Sequence, residues 1–336
     1  MKKAAFVPIA PNYLNNRMFD RAGAVSLNHE LEVFYALHDA LKERGIEIAT
    51  YDIHTPEESD FIIYLEMPKQ LPKKEHIHKS YLIIGEVAAV RPGNWDMKKH
   101  EYFHKIFTFC DDILDGKKYV KLNSCRPFST DIPQDISHKE KLCTLIAGNK
   151  ISNHPLELYS ERLAAVRWFE QNHPDEFDFY GMGWHKKVFS GLLRPFNRVH
   201  TIGKLCRPRF KSYRGPVDDK QEMLKKYKFA IGFENAREIN GYVTGDKIFD
   251  PMQAGTVPIY WGAPNIEKYV PKNCFINWED YGNWPDMYQY IKNMPDSEYL
   301  DYLGHITEYI QKTAVSGDFS EKVYVETLLR EVDQAK

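Results

Sequence analysis

Lys247, Asp246, Thr244 and the pair Glu234-Asn235 fall in one stretch, Tyr227 to Asn265, that combines an ammonium, carboxylates, an amide and a hydroxyl. Such groups suit a nucleotide, because an ammonium and helix N–H groups meet a pyrophosphate while carboxylate and amide side chains meet ribose or base. The elements around them must bring them together. Phe229 to Phe233 is an apolar run without strong alternation, as in a parallel strand covered on both faces, and Glu234-Asn235 stands at its carboxyl end. Thr244 is a good N-cap, Gly255 can close the helix that follows, and Val257 to Trp261 resumes as strand. The helix start, with its unpaired N–H groups and positive dipole end, is therefore aimed at the same crevice as Glu234 and Asn235. Tyr242 reads as a ligand contact, whereas Ile248, Phe249, Tyr260 and Trp261 read as core. On spacing alone an ordinary strand-loop-helix unit accounts for the stretch about as well as a phosphate site, since the glycine-rich fingerprints of common nucleotide folds are missing.

Glu86 and Arg162 lie outside that stretch. Glu86 ends Ile83-Ile84-Gly85-Glu86, where a buried strand meets a loop carrying Arg91-Pro92-Gly93-Asn94. A strand-end carboxylate can accept a hydroxyl proton, although position alone favours a structural or solvated acid. Arg162 sits on a helix whose apolar face is marked by Ala164, Ala165 and Trp168. Its fork can hold a diphosphate, while helix arginines more often snorkel or pair. Pro251 removes a helix hydrogen bond and crowds the carbonyl of Lys247, so a kink or a short helix is expected to re-aim that lysine.

At 336 residues with 43% hydrophobic content the chain can bury a large core and is natural for two α/β lobes. Strands are expected at Ala4 to Ile9, Glu47 to Tyr51, Phe61 to Glu66, Ser80 to Ile84 and Lys105 to Phe109, with helices over His29 to Lys42 and around Asp96 to Phe103. Strand and helix alternate, so the sheet should be parallel. Lys117 to Glu140 reads as the tail of the first lobe and a linker. A new βα unit starts at Cys143, with a helix over Leu156 to Gln171 and a strand at Phe177 to Tyr180. Trp184 to Val217, carrying Arg194, Arg198, Arg207, Arg209 and Arg214, reads as a long basic loop. The expected division is 1–140, 141–315, and a terminal helix in 316–336 packing back on the first lobe.

Phe233-Glu234-Asn235, then Tyr242-Val243-Thr244-Gly245-Asp246-Lys247, then Pro258-Ile259-Tyr260-Trp261-Gly262 resemble, in this order, the donor motif of the α-1,3-fucosyltransferases, glycosyltransferase family ten, of bacterial soluble type. The resemblance extends more weakly to Gly85-Glu86 and to Asn149 through Arg162. It implies two facing Rossmann-like lobes of the GT-B type, with the C-terminal lobe holding GDP-β-L-fucose and the N-terminal lobe presenting the acceptor. It further implies Glu86 as general base, Lys247 and Arg162 on the diphosphate, Asp246 on the cationic sugar, and Asn149, Asn235, Tyr242 and Thr244 as donor contacts, with Glu234 either a donor contact or a cap to neighbouring backbone. One displacement would invert the sugar centre, giving an α-fucoside, with the 3-OH of N-acetylglucosamine or glucose as the family's expected target. The chain departs from the family's Thr-Glu-Lys by inserting Gly245 and shortening the acid to Asp246. A local bulge that returns Asp246 and Lys247 to the Glu-Lys roles is favoured over a shifted helix start. The same departure admits another nucleotide-sugar donor or an inactive glycan- or nucleotide-binding homologue.

Net charge is −2, so no electrostatic footprint for nucleic acid is expected. No Asp-x-Asp occurs, and the diphosphate is expected to be met by Lys247, Arg162 and a helix N-terminus, with a divalent cation stimulatory at most and none required. The histidines form no convincing ligand set. Five widely spaced cysteines without a Cys-x-x-Cys pair read as reduced cytosolic thiols. No apolar run is long enough to span a membrane, so the expectation is a cytoplasmic protein that reaches an oligosaccharide or glycolipid acceptor peripherally, whether in lipopolysaccharide, capsule or free oligosaccharide.

Overall fold

The computed structural model describes residues 2–21, 23, 31–186, 209–314 and 317–333. Among them the strands form two parallel sheets, and the chain divides into two compact units. The first unit comprises Met1–Phe128, Asn240–Tyr242 and Lys312–Lys336, and the second comprises Ser129–Ile239 and Val243–Gln311.

In the first unit β1 (Lys2–Val7), β2 (Ile46–Thr50), β3 (Phe61–Leu65), β4 (Ser80–Ile84), β5 (Lys105–Thr108) and β6 (Tyr119–Lys121) lie in the order β2-β1-β3-β4-β5-β6, every pair parallel. β4 is buried along its whole length, the mark of a strand covered on both faces. α1 (Glu32–Glu43) packs Phe34, Leu37 and Leu41 into the core, where they meet Tyr324, Val325, Leu328 and Leu329 of the last helix, Glu321–Asp333. β6 falls inside the segment read as tail and linker, and its three residues complete the sheet edge beside β5. Met97–Tyr102 is a 3-10 helix rather than an α-helix; six residues rich in lysine cannot offset the cost of nucleating a longer one.

The second sheet contains β7 (Lys141–Ile146), β8 (Phe177–Tyr180), β9 (Tyr227–Phe233), β10 (Val257–Trp261) and β11 (Ile276–Asn277) in the order β11-β10-β9-β7-β8, again all parallel. It is flanked by α2 (Tyr159–Asn172), α3 (Lys220–Leu224), α4 (Gly245–Gln253), α5 (Trp284–Asn293) and α6 (Asp296–Thr313). Rings fill the interface between α2, α5 and the sheet: Phe169 stacks on Phe177 at 4.5 Å, and Trp284 lies 6.0 Å from Phe233. Strand order reverses between β1 and β3 in the first sheet and between β7 and β9 in the second. Parallel sheets bind ligands at the carboxyl ends of strands beside such reversals, so these ends are where side-chain chemistry matters. Arg194, Arg198 and Arg207 lie outside the described residues, whereas Arg214 pairs with the buried Asp178 at 2.7 Å. Among the described residues Cys110, Cys125, Cys143 and Cys274 are free thiols, and no helix is long and apolar enough to cross a membrane.

Candidate active site

Asn149 follows β7 and Glu234-Asn235 follows β9, so the reversal of strand order in the second unit brings them to adjoining strand ends. Their side chains do different work. Glu234 is fully buried, and its carboxyl accepts from the Thr244 N–H at 2.7 Å, the Thr244 hydroxyl at 2.5 Å and the Tyr260 hydroxyl at 3.3 Å. Burial, reinforced by the charge of Asp246, pushes its pKa up to about 8. A Cβ at Gly262 would lie 2.4 Å from Glu234 Cγ and 2.6 Å from the Tyr260 hydroxyl, so the Gly262 of the motif is the space that Glu234 occupies. Glu234 is thus an internal strut to the start of α4 rather than a carboxylate offered to a ribose. Thr244 has N-cap backbone but no side-chain cap bond, because its hydroxyl is spent on Glu234.

Gly245 is the first residue of α4, after Thr244 in extended backbone, and Asp246 and Lys247 occupy its first turn. The Lys247 ammonium pairs with the Asp246 carboxylate. Burial pulls its pKa below the usual lysine range; Asp246 opposes that, while Arg162 and Lys220 add to it. Lys220, on α3, donates to the Asp246 carbonyl and the Asp250 carboxylate at 2.7 Å each, pinning the first and second turns of α4. Nothing in the sequence marked Lys220, since it reaches α4 from a separate short helix. Arg162 is 3% exposed and turns its guanidinium onto the Phe233 carbonyl, at 3.2 Å from Nε and 2.5 Å from Nη2, with Nη2 also 3.1 Å from Asn235 Oδ1. Pro251 leaves α4 intact to Gln253, and the Lys247 carbonyl that it cannot bond lies 2.3 Å from where a Cβ at Gly232 would stand. Asn149 donates its amide to the carbonyls of Gly183 and Lys186 at 3.1 Å each, which fixes the loop after β8. Three cations are thus held around the positive end of one helix, an arrangement that attracts a diphosphate.

In the first unit Glu86 follows β4. Its backbone carbonyl accepts from Asn94 Nδ2 and Trp95 Nε1, both at 3.1 Å, and its carboxylate accepts from the Tyr242 hydroxyl at 3.1 Å. Tyr242, expected as a donor contact, is 1% exposed with its ring 4.8 Å from Phe109, so it serves Glu86 instead. A three-residue excursion of the motif, Asn240–Tyr242, belongs to the first unit, which spacing alone does not reveal. A cavity of about 290 Å³ beside β11, lined by Lys272, Phe275, Tyr281 and Tyr302 among others, includes none of these residues.

Two parallel α/β domains of this order are the architecture of the GT-B class of glycosyltransferases. A solved α1,3-fucosyltransferase with GDP superposes with a TM-score of 0.57 at 18% identity, covering 99% of this chain and 90% of the other. An α-glucosyltransferase in complex with UDP and a 13-mer DNA gives 0.57 at 9% identity over 99% of each chain. Residues 173–325 match the family profile described as glycosyltransferase family 10 (fucosyltransferase) C-term. Similar relatives include the α-(1,3)-fucosyltransferase FucT of Helicobacter pylori, 40% identical over 26% of this chain and 18% of its own. An α-(1,4)-fucosyltransferase of Arabidopsis thaliana is 33% identical over 28% of this chain and 25% of its own. GDP-fucose protein O-fucosyltransferase 3 of Xenopus laevis is 36% identical over 26% and 19%. The aligned stretches therefore take in no more than a quarter of these relatives' length.

Proposed function

We infer that this chain transfers L-fucose from GDP-β-L-fucose to a sugar hydroxyl with inversion, forming an α-fucoside. The observation that carries the reading is the cation cluster of Lys247, Arg162 and Lys220 at the start of α4, with Lys220 and Lys247 inside the stretch that matches the family 10 profile. In the reaction the acceptor oxygen forms a bond to the anomeric carbon as that carbon's bond to the β-phosphate oxygen breaks. The electron pair leaves with GDP, and the acceptor proton passes to Glu86. Lys247 meets the growing charge on the diphosphate at the helix N-terminus, where fixed N–H groups need no reorganisation. Arg162 adds its charge and orients the Asn235 amide toward the nucleotide, while Asp246 steadies the cationic sugar. Asn149 shapes the neighbouring loop. Glu234, Thr244 and Tyr242 act by holding these groups in place.

The relatives differ in linkage and acceptor, from α-1,3 and α-1,4 to protein O-fucosylation by their names. We assign a 3-OH of N-acetylglucosamine or glucose in a lactosamine- or lactose-type glycan as the target, reached without a required metal. The test is GDP release from GDP-fucose, GDP-mannose and UDP-galactose with lactose or N-acetyllactosamine, with and without EDTA. Acceptor-dependent release from GDP-fucose alone, surviving EDTA, is expected. Release from another donor would mean that Gly245-Asp246 has changed sugar choice, and saturable GDP-fucose binding without release would favour a non-catalytic binder. Glu86→Gln and Lys247→Ala should each lower kcat by about a hundredfold or more, in line with loss of a base or of charge stabilisation. Normal turnover in either would remove that residue from the mechanism.

A further inference from the structure

The carboxyl ends of β3 and β4 are neighbours in the first sheet, and each carries a glutamate: Glu66 follows β3 and Glu86 follows β4. Glu66 is 5% exposed, and its backbone φ is +67°, a left-handed conformation that residues with a side chain rarely hold without a reason. Its own N–H continues the ladder to the Ile83 carbonyl at 2.8 Å, so the twist turns the side chain without breaking the sheet. One carboxyl oxygen accepts the Gly85 N–H at 3.1 Å, and the other accepts from the Asn94 amide. That same Asn94 nitrogen donates to the Glu86 carbonyl, and Asn94 is itself anchored by His100 Nε2 on its backbone carbonyl at 2.7 Å. Glu66 therefore grips the Ile84–Gly85 peptide, one before the peptide that leads into Glu86, and the residue that ties down the peptide after Glu86.

We propose that Glu66 is a positioning residue for Glu86: its carboxylate fixes the turn on which Glu86 stands and places a second negative charge beside it. The proposal rests on Glu86 being the base. Both Glu66 oxygens accept N–H groups, so the network is complete with the carboxylate and loses an acceptor when Glu66 is protonated. Burial pushes the Glu66 pKa up to about 7, with Glu86 raising it further and Asn94, Gly85 and Arg91 lowering it. Besides Glu86 and Arg91, Tyr324 of the last helix lies within reach of its field, and His100 acts through Asn94. Like charges disfavour joint ionisation, so each carboxylate makes the other a stronger base.

The test is a pH titration of protein carrying glutamate labelled with ¹³C at Cδ, with Glu86→Gln assigning the Glu86 resonance. In the wild type the Glu86 resonance should respond in two steps, one of them near pH 7 as Glu66 ionises. In Glu66→Gln that step should vanish. Its kcat/KM for transfer at neutral pH should fall about tenfold, as expected of a misplaced base. Asn94→Ala cuts the tie between the two while keeping both charges, and should lower kcat/KM while the Glu86 resonance still shows two steps. A single-step Glu86 titration in the wild type overturns the proposal, and so does a Glu66→Gln variant that keeps the step near pH 7 or transfers with the wild-type kcat/KM. The wild-type titration decides even where Glu66→Gln does not fold. A wild type that transfers no fucose would sink the functional reading and leave the titration to judge Glu66.

Discussion

A buried carboxylate is tolerated only where donors surround it, and Glu234 shows what that costs and secures. Thr244 and Tyr260 satisfy its oxygens, and in return the first turn of α4 is held against the end of β9. The folded pKa, pushed up to about 8 from an ordinary value of 4.5, means that the folded state binds this proton more tightly than the unfolded chain. Its contribution to stability is therefore full below about pH 4.5 and is lost as pH rises through about 8. Urea unfolding of Glu234→Gln across that window should show a flatter pH dependence than the wild type. An unchanged slope would place the buried charge elsewhere. Lys247 behaves in the opposite sense, since burial and the neighbouring cations favour its neutral form and a bound diphosphate restores the charged one. GDP should therefore bind more tightly as pH falls within the lysine's lowered range, and calorimetry in two buffers of different ionisation enthalpy should record proton uptake on binding.

The strand-loop-helix element from β9 to β10 works because two glycines let side chains and backbone approach closely. Gly232 admits the Lys247 carbonyl and Gly262 admits the Glu234 side chain. Gly262→Ala should force Glu234 aside and cost about 1–3 kcal/mol, the range for overpacking a filled interior. The denaturation midpoint and the affinity for GDP should fall together; an unaltered affinity would show that the Glu234 strut does not set the helix start. The motif's order was legible because apolar runs, an N-cap residue and a closing glycine are local signals: β9, α4, Gly255 at φ +64° and β10 fall where they point. The direction of the Glu234 and Tyr242 side chains was not, because the same polar residue at a strand end can turn to solvent or inward. Which way it turns depends on partners supplied by Thr244, Tyr260 and Glu86.

At the scale of the molecule, the first unit is assembled from three separate stretches of chain. The last helix, Glu321–Asp333, contributes Tyr324, Val325, Leu328 and Leu329 to its core, and Glu331 pairs with Lys105 at the start of β5. Burying four such side chains is worth about 1.5–3 kcal/mol each, which together rivals the 5–15 kcal/mol that typically stabilises a domain. Deleting residues 317–336 should therefore abolish the thermal transition of the first unit while leaving that of the second. Scanning calorimetry with hydrogen exchange would locate the loss, and retained protection in β1, β3 and β4 would refute the dependence.

By itself the sequence determined the two parallel α/β sheets, the strands that lead to Glu86 and Glu234, and the order of strand, loop, helix and strand from Phe229 to Trp261, because these follow from hydrophobic runs and residue types that act over a few positions. Only the tertiary structure decided that Asn240–Tyr242 joins the first unit, that Lys220 holds α4, and that Glu66 stands beside Glu86. Those outcomes depend on which strands become neighbours, and strand order is set by the burial of whole faces rather than by any local pattern.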